Sequence, residues 1–335
     1  MAISAALSGV TDWDEMEEFG KYKLPWLRQF YPFKNGIPSH DTINRLFSAL
    51  NPEEFFECFN QWTSLLKQRY EHEVIAIDGK TIKGTNPKAK GMECLYYVSA
   101  YASENGLVLA QQTTQEKSNE ITAIPKLLDM IDIQGCIVTV DALNCQKTLA
   151  KKVVDKKADY LFAVKNNQQE LYDQIRGRFE NQSVDDQNVE EDIGHGRIEK
   201  RTCKVICNLD FVDNAPQWEG LRSIVQIQAQ RTQKATGKTQ TETRYYISSL
   251  PADAQLINRS ARKHWFIENK LHWVLDVSFN EDKSRKRKEY SAQNYSIIIK
   301  AALNMLKNKP KTMSYKRMKL KALLNDQARE DLLFI

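Results

Sequence analysis

Two short apolar runs, each ending in an aspartate, limit what this chain can fold into more than any other feature. The first is Val74–Ile77 followed by Asp78, at the head of VIAIDGKTIKGT (74–85). The second is CIVTVD (136–141), ending in Asp141. Runs with no polar face, rich in β-branched residues, read as strands covered on both faces, as in a parallel sheet under helices. A carboxylate at the end of such a strand is aimed from a rigid support. The first run is expected to turn at Gly79. A third stretch, HWFIENKLHWVLDVSF (264–279), reads as an aromatic-rich helix carrying Glu268.

The flanking pattern is consistent with this reading. CLYYVSAYAS (94–103) and GLVLAQQTT (106–114) alternate like strands and meet at Asn105-Gly106, a strong hairpin turn. A short helix is expected over Ala123–Ile131 with Pro125 in its first turn. Then come the strand CIVTVD, a helix over Gln146–Lys156, the strand DYLFAVK (159–165) and a helix over Gln168–Phe179. Three consecutive strands followed by alternating helices and strands predict an α/β fold, a mixed sheet with flanking helices. This is the order of the ribonuclease-H-like fold, whose first and fourth strands carry its first two acids. Asp78 and Asp141 occupy those places.

Residues 1–71 read as a helical N-terminal region, with helices over Met1–Ser8, Asp12–Phe19, Thr42–Leu50 and Glu53–Leu66. Asn51-Pro52-Glu53-Glu54 has the residues of a helix start: a capping amide, proline at the first position and acids in the first turn. Phe55, Phe56, Phe59 and Trp62 form a stripe at helical spacing, either a core face or part of a bundle that grips DNA. Residues 181–245 open polar and acidic, then give three β-like runs; they read as a β-rich insertion whose Thr232–Thr241 tip is a polar hairpin. Helix resumes at Asn258 and runs past Glu268. An amphipathic helix follows over Asn294–Lys307, and residues 309–335 read as a basic C-terminal tail. The catalytic core is then 72–180 together with 246–308.

The 335 residues allow two or three modules, and 41% apolar with 27% charged residues excludes wholesale disorder. Net charge is +5, unevenly spread: Lys283–Lys321 holds 13 Lys/Arg against one acid, Glu289. A basic C-terminal face suits a polyanion. Cys58, Cys94, Cys136, Cys145, Cys203 and Cys207 are scattered and include no CxxC pair, which fits a reducing cytoplasm. No run of 18 apolar residues is present, so no membrane span is expected.

Three acids from distant parts of the chain are what phosphoryl transfer by two Mg²⁺ ions, with Mn²⁺ as substitute, requires. Asp78 would bridge both ions, and Asp141 and Glu268 would each hold one. Trp265, Phe266, Ile267, Leu271, Trp273, Val274 and Leu275 leave little of the Glu268 helix polar, so Glu268 is expected to be buried. His264, Glu268 and His272 fall at i, i+4 and i+8. They suit a zinc site, hydrogen bonds around the carboxylate, contact with DNA phosphate, or core histidines satisfied by backbone. Asn269 and His272 are candidates for a supporting shell. Lys80 and Lys83 either hold phosphates or line a solvated turn. The run Lys283-Ser284-Arg285-Lys286-Arg287-Lys288 is either a solvated face or a DNA contact.

These phrases resemble the H-repeat-associated transposases, a bacterial group of insertion-sequence DDE transposases. The resemblance rests on GIPSHDT (36–42), VIAIDGKTIKG (74–84), EKSNEITAIPKLL (116–128), VTVDALNCQK (138–147), DYLFAVKNNQ (159–168), GHGRIEKR (194–201), YYISSL (245–250) and HWFIENKLHWVLDVSFNED (264–282). It implies a ribonuclease-H-like core, the acidic triad Asp78, Asp141 and Glu268, and Mg²⁺-dependent cutting and joining of double-stranded DNA at element ends and target. Synapsis of two ends implies a homodimer. Many related transposases carry Tyr-x2-Arg-x3-Glu-x6-Lys around the last acid; here those places hold Ala261, His264, Glu268 and Leu275, so the phosphate contact is expected from His264 or Lys270. Relatives carry a further helical segment before ISAALSG, so a truncated copy that binds DNA without cleaving it is the competing expectation. A nuclease that cuts without joining is the third.

Overall fold

The computed structural model describes residues 1–85, 94–114, 120–194, 196–310 and 312–334. Its strands are β1 (Val74–Ile82), β2 (Leu95–Ala102), β3 (Leu107–Thr114), β4 (Ile137–Val140), β5 (Asp159–Val164), β6 (Asp186–Gly194), β7 (Arg197–Ile206), β8 (Ser223–Gln233) and β9 (Thr239–Ser248). Among the described residues they form a single mixed sheet in the order β3-β2-β1-β4-β5-β9-β8-β7-β6. β1, β2 and β3 are antiparallel neighbours, while β4 and β5 run parallel to β1. Residues 74–77, with no exposed face, are fully buried in the middle of this sheet.

The expected turn at Gly79 is not there. β1 continues through Asp78 and Gly79 to Ile82, because its antiparallel ladder to β2 is unbroken from Asp78↔Ser99 to Ile82↔Leu95. The parallel partner β4 is the strand that stops at the level of Asp78. The helix α6 (Glu120–Asp129) begins before Ala123, so Pro125 lies inside it rather than in its first turn. α7 (Lys147–Asp155) and α8 (Gln169–Asn181) follow their expected spans within two residues. The β-rich segment extends the same sheet: β9 pairs with the edge of β5 from Leu161↔Ser248 to Val164↔Tyr245, and β8, β7 and β6 add outward. Residues 234–238 form its hairpin tip.

The N-terminal helices α1 (Ala2–Leu7), α2 (Trp13–Tyr22), α3 (Leu24–Leu27), α4 (His40–Ala49) and α5 (Pro52–Leu66) pack beside the β3 edge. Asn51 caps α5 by accepting from Glu53 N. Phe56 and Phe59 of the aromatic stripe are buried, and Phe55 and Trp62 pack half-buried against them. Next come α9 (Ala254–His264), a π-helical segment (Ile267–His272), α10 (Trp273–Phe279) and α11 (Ser291–Lys307). α11 is not amphipathic: residues 294–306 are all buried, between β3 on one side and α1, α4 and α5 on the other. Several of its polar residues have partners inside. Asn294 donates to the carbonyls of Phe47 and Leu50, and Asn304 bonds both the N–H and the carbonyl of Val108.

Residues 309–335 were expected as a basic tail; within them lie α12 (Tyr315–Leu324) and α13 (Asp326–Leu333). Arg329 is fully buried there, its guanidinium 3.9 Å from the Trp26 ring centroid and donating to Ala322 O. All six cysteines are free thiols. Among the described residues no helix is long and apolar enough to cross a membrane.

Candidate active site

The parallel register of β1 and β4 ends at Ala76↔Thr139. Asp78 follows two residues further along β1, and Asp141, directly after the end of β4, is reached by continuing the same register. Neighbouring strands lie about 4.8 Å apart, so the two acids leave from neighbouring lines of the sheet. After Asp141 the chain turns tightly through Ala142–Asn144, and Asp141 caps the turn. Its Oδ1 accepts from Asn144 Nδ2 at 2.7 Å and from the Asn144 N–H at 3.3 Å.

Burial raises the Asp78 carboxyl to about 7 from its ordinary 3.8. The N–H of Gly79 opposes that rise, and the charges of Asp141, Glu268 and Glu120 add to it. The three expected acids therefore share one electrostatic neighbourhood, together with a fourth that the sequence reading did not single out. His272 Nδ1 lies 3.5 Å from Asp78 Oδ2. Burial, and then Lys80, push His272 down to about 3, so it is neutral and the contact is not an ion pair. His264 Nδ1 sits 2.9 Å from Thr139 Oγ1, and burial pushes it down to about 4.

Glu268 is exposed, contrary to the expectation from its apolar neighbours. Ile267, Leu271, Val274 and Leu275 fill the inward side of the helix, but Trp273 remains 60% exposed. The helix is therefore two-sided despite its composition. The π-helical segment also breaks the i, i+4, i+8 line: i→i+5 bonding widens the turn between Glu268 and His272. His264 and His272 point inward while Glu268 faces solvent. Among the described residues no three His, Cys, Asp or Glu side chains stand close enough to hold a metal ion, so the zinc arrangement is not formed. Asn269 Nδ2 donates to Trp265 O at 3.0 Å, and Lys270 Nζ lies 3.3 Å from the Phe266 ring centroid; both residues are exposed.

The cations divide into two groups. Lys80, expected near DNA, is only 8% exposed and is tied to Asp276 and to Glu281 Oε2, the latter at 2.8 Å. Glu281, 1% exposed, also accepts from Tyr97 OH at 2.6 Å and lies 3.6 Å from Lys300 Nζ. Lys286 is likewise internal: its Nζ donates to Thr11 O at 2.7 Å and sits 3.7 Å from the Tyr295 ring centroid. These two lysines anchor the fold and do not face a polyanion. Lys83, Arg285, Arg287 and Lys288 are exposed. Arg287 donates to Gly84 O at 2.9 Å, which seats the basic run on the end of β1. The backbone of residues 282–284 crosses so closely over Gly84 that a side chain there would strike carbonyl oxygens.

Sequence reasoning missed Glu120, Asn144 and Tyr96 around Asp141, and the Glu281–Lys300 pair behind Lys80. Glu120 lies within the quoted phrase EKSNEITAIPKLL, but an acid at the front of a helix has an ordinary explanation in the helix dipole, and spacing alone does not mark it out.

Chemically, the site offers hard oxygen donors at two strand ends, a third carboxylate on the neighbouring helix, neutral imidazoles behind them and exposed cations alongside. A family model described as the transposase DDE domain matches residues 69–305, and one described as DDE_Tnp_1-associated matches residues 1–63. A protein of Escherichia coli O157:H7 named "Putative transposase YncI" is 41% identical over 334 residues, 97% of this chain and 85% of that protein. One of Escherichia coli strain K12 named "H repeat-associated putative transposase YhhI" is 39% identical over 316 residues, 92% of this chain and 83% of that protein. A solved piggyBac transposase in a synaptic complex with hairpin DNA aligns with 93% of this chain and 60% of its own, at TM-score 0.45 and 12% identity. By the span of the family match and the identity to these relatives, the chain belongs to the transposase DDE family, among its H repeat-associated members.

Proposed function

We propose that the protein is an insertion-sequence transposase that cuts phosphodiesters at element ends and joins the freed 3′ end to target DNA. The observation that carries this reading is that the parallel register of β1 and β4 leads to Asp78 on β1 and to Asp141 directly after β4. The strand order β3-β2-β1-β4-β5, with β4 and β5 parallel to β1, supports a ribonuclease-H-like core. We assign that core to residues 72–180 and 246–308. The donor set suits Mg²⁺ or Mn²⁺, since all three side chains offer carboxylate oxygens and the like charges around Asp78 favour a cation. When bound, two such ions activate the attacking oxygen and stabilise the leaving one.

The chain's own residues have separate tasks. Asp78, Asp141 from its capped turn and Glu268 from the solvent-facing helix would hold the divalent ions. Neutral His272 lies beside the Asp78 carboxylate, its Nδ1 3.5 Å from Oδ2, and adds no charge there. Lys83, Arg285, Arg287 and Lys288 hold the phosphates of double-stranded DNA, and Lys270 is placed to reach the strand beside Glu268. Synapsis of two ends calls for two copies of the chain, acting on DNA in the cytoplasm.

Nicking of supercoiled plasmid in Mg²⁺ or Mn²⁺ tests the reading, with Asp141→Asn as control. Metal-dependent nicking that is lost in Asp141→Asn, Asp78→Asn and Glu268→Gln is expected, with DNA binding retained. Joining is then scored with a labelled 3′ end. A second reading, a protein that binds DNA without cutting it, is favoured by the exposure of Glu268 and by the finding that, among the described residues, no three His, Cys, Asp or Glu side chains are grouped to hold a metal ion. It predicts salt-sensitive DNA retention and no metal-dependent nicking by the folded chain.

A further inference from the structure

Behind Asp141 lies a buried pair to which the proposed chemistry assigns no role. Glu120, the first residue of α6, is 2% exposed. Its Oε2 accepts from Asn144 Nδ2 at 2.6 Å, and its Oε1 accepts from Tyr96 OH. Asn144, also 2% exposed, uses its side-chain amide on two carboxylates at once, Glu120 Oε2 and Asp141 Oδ1. The amide orientation is fixed by this chemistry, because the reverse rotamer would set a carbonyl oxygen against two anions. The Asn144 Oδ1 is consequently buried without a partner, a cost offset by two charge-assisted donors.

Both Asn144 donors to Asp141 fall on Oδ1. Oδ2 is left as the oxygen free of them. Glu120 touches the other aspartate's support as well: a side chain at residue 79 would collide with Tyr96 OH and Glu120 Oε1, so this pair lies directly on the backbone next to Asp78. A ligand role for Glu120 itself does not fit, since both its oxygens are engaged and it is closed to solvent. A helix-dipole role explains neither the bridging amide nor the glycine.

We infer that Glu120 and Asn144 are positioning residues for Asp141: Glu120 orients the Asn144 amide, and Asn144 locks the Asp141 carboxylate with Oδ2 presented to a divalent cation. This rests on the metal-dependent reading above. Groups that orient a ligand from behind are worth about 10–100-fold in metal affinity.

The test is Mn²⁺ binding by the full chain, read from loss of the free-ion paramagnetic resonance signal and so independent of cleavage. Asn144→Ala and Glu120→Ala are expected to weaken binding about tenfold. Glu120→Gln keeps an oxygen for the Asn144 amide and is expected to stay within about threefold of wild type, by the same reasoning. Far-UV circular dichroism establishes folding, and Asn144→Ala, which leaves the Tyr96–Glu120 bond intact, carries the test if Glu120→Ala does not fold. Unaltered Mn²⁺ affinity in folded Asn144→Ala overturns the inference while leaving the metal-dependent reading in place. Equal losses in Glu120→Gln and Glu120→Ala overturn it too, since Glu120 would then act through charge. A wild type that binds no Mn²⁺ removes both.

Discussion

Replacing Lys80 by methionine separates a fold anchor from a phosphate contact. The change keeps most of the side chain's length and removes its charge. In the structure that charge meets Glu281 at 2.8 Å in a closed interior, and Asp276 on a partly open side. Leaving a buried ion without its partner costs about 3–5 kcal/mol. Glu281 keeps Lys300, Tyr97 and Ser296, so the low end applies, about 3 kcal/mol. The Asp276 side chain is 33% exposed, and its share is within about 1 kcal/mol. Unfolding entropy near 2.1 cal/mol/K per residue gives about 0.7 kcal/mol/K for a chain of this length, so Tm should fall by about 4 °C.

The pH dependence has a definite sign. Burial alone would raise Glu281, but Lys300 and Lys80 together hold it below its ordinary 4.5. A carboxylate depressed in the folded state stabilises at pH values above 4.5, and that contribution is lost as pH falls through the folded value. The difference between Lys80→Met and wild type should therefore be full at pH 7 and close in stronger acid. Thermal unfolding at pH 7 and pH 3 measures it, beside DNA binding as a function of salt. A phosphate contact would instead lower the slope of log K against log [salt] by about 0.9. An unchanged Tm together with a slope lower by that amount would refute the anchoring argument.

Two further outcomes follow from the same geometry. Asp78 is raised to about 7 by burial and by its acidic neighbours, so the folded state holds a proton that the unfolded chain releases from 3.8 upward, and stability drains away as pH rises toward 7. Asp78→Asn should therefore raise Tm at pH 8 in the absence of divalent ions, by up to about 4 kcal/mol in stability at about 1.4 kcal/mol per pKa unit, with no gain near pH 3. An equal gain at both pH values would refute the electrostatic cause. In the basic run, Lys286→Met should leave the salt slope unchanged, because its ammonium is buried against Tyr295 and Thr11. Arg285→Ala and Lys288→Ala should each lower the slope by about 0.9 with Tm unmoved.

The features legible in the sequence are those whose physics is local. Unbroken apolar runs gave β1 and β4 because only a covered strand tolerates them, and a strand's period of two then places Asp78 and Asp141 without knowledge of anything else. Lysine is a different case. Lys80 sits two residues from Asp78 and looks like a phosphate contact, but its partners Asp276 and Glu281 lie some 200 positions later in the chain. The same holds for several polar residues of α11, which read as a solvated face and instead find Val108, Phe47 and Glu281 inside. Composition failed at Glu268 for a related reason: it counts apolar residues without saying which side of the helix they occupy, and a π-helical turn re-aims the side chains within it. That failure falls on the one acid carried by a helix, not on Asp78, which lies on β1, or Asp141, which directly follows β4. A strand end fixes the direction of its side chain by pairing. A helix face is set by packing and by the turn's own geometry, so the third acid of such a site is the one whose placement a sequence leaves open.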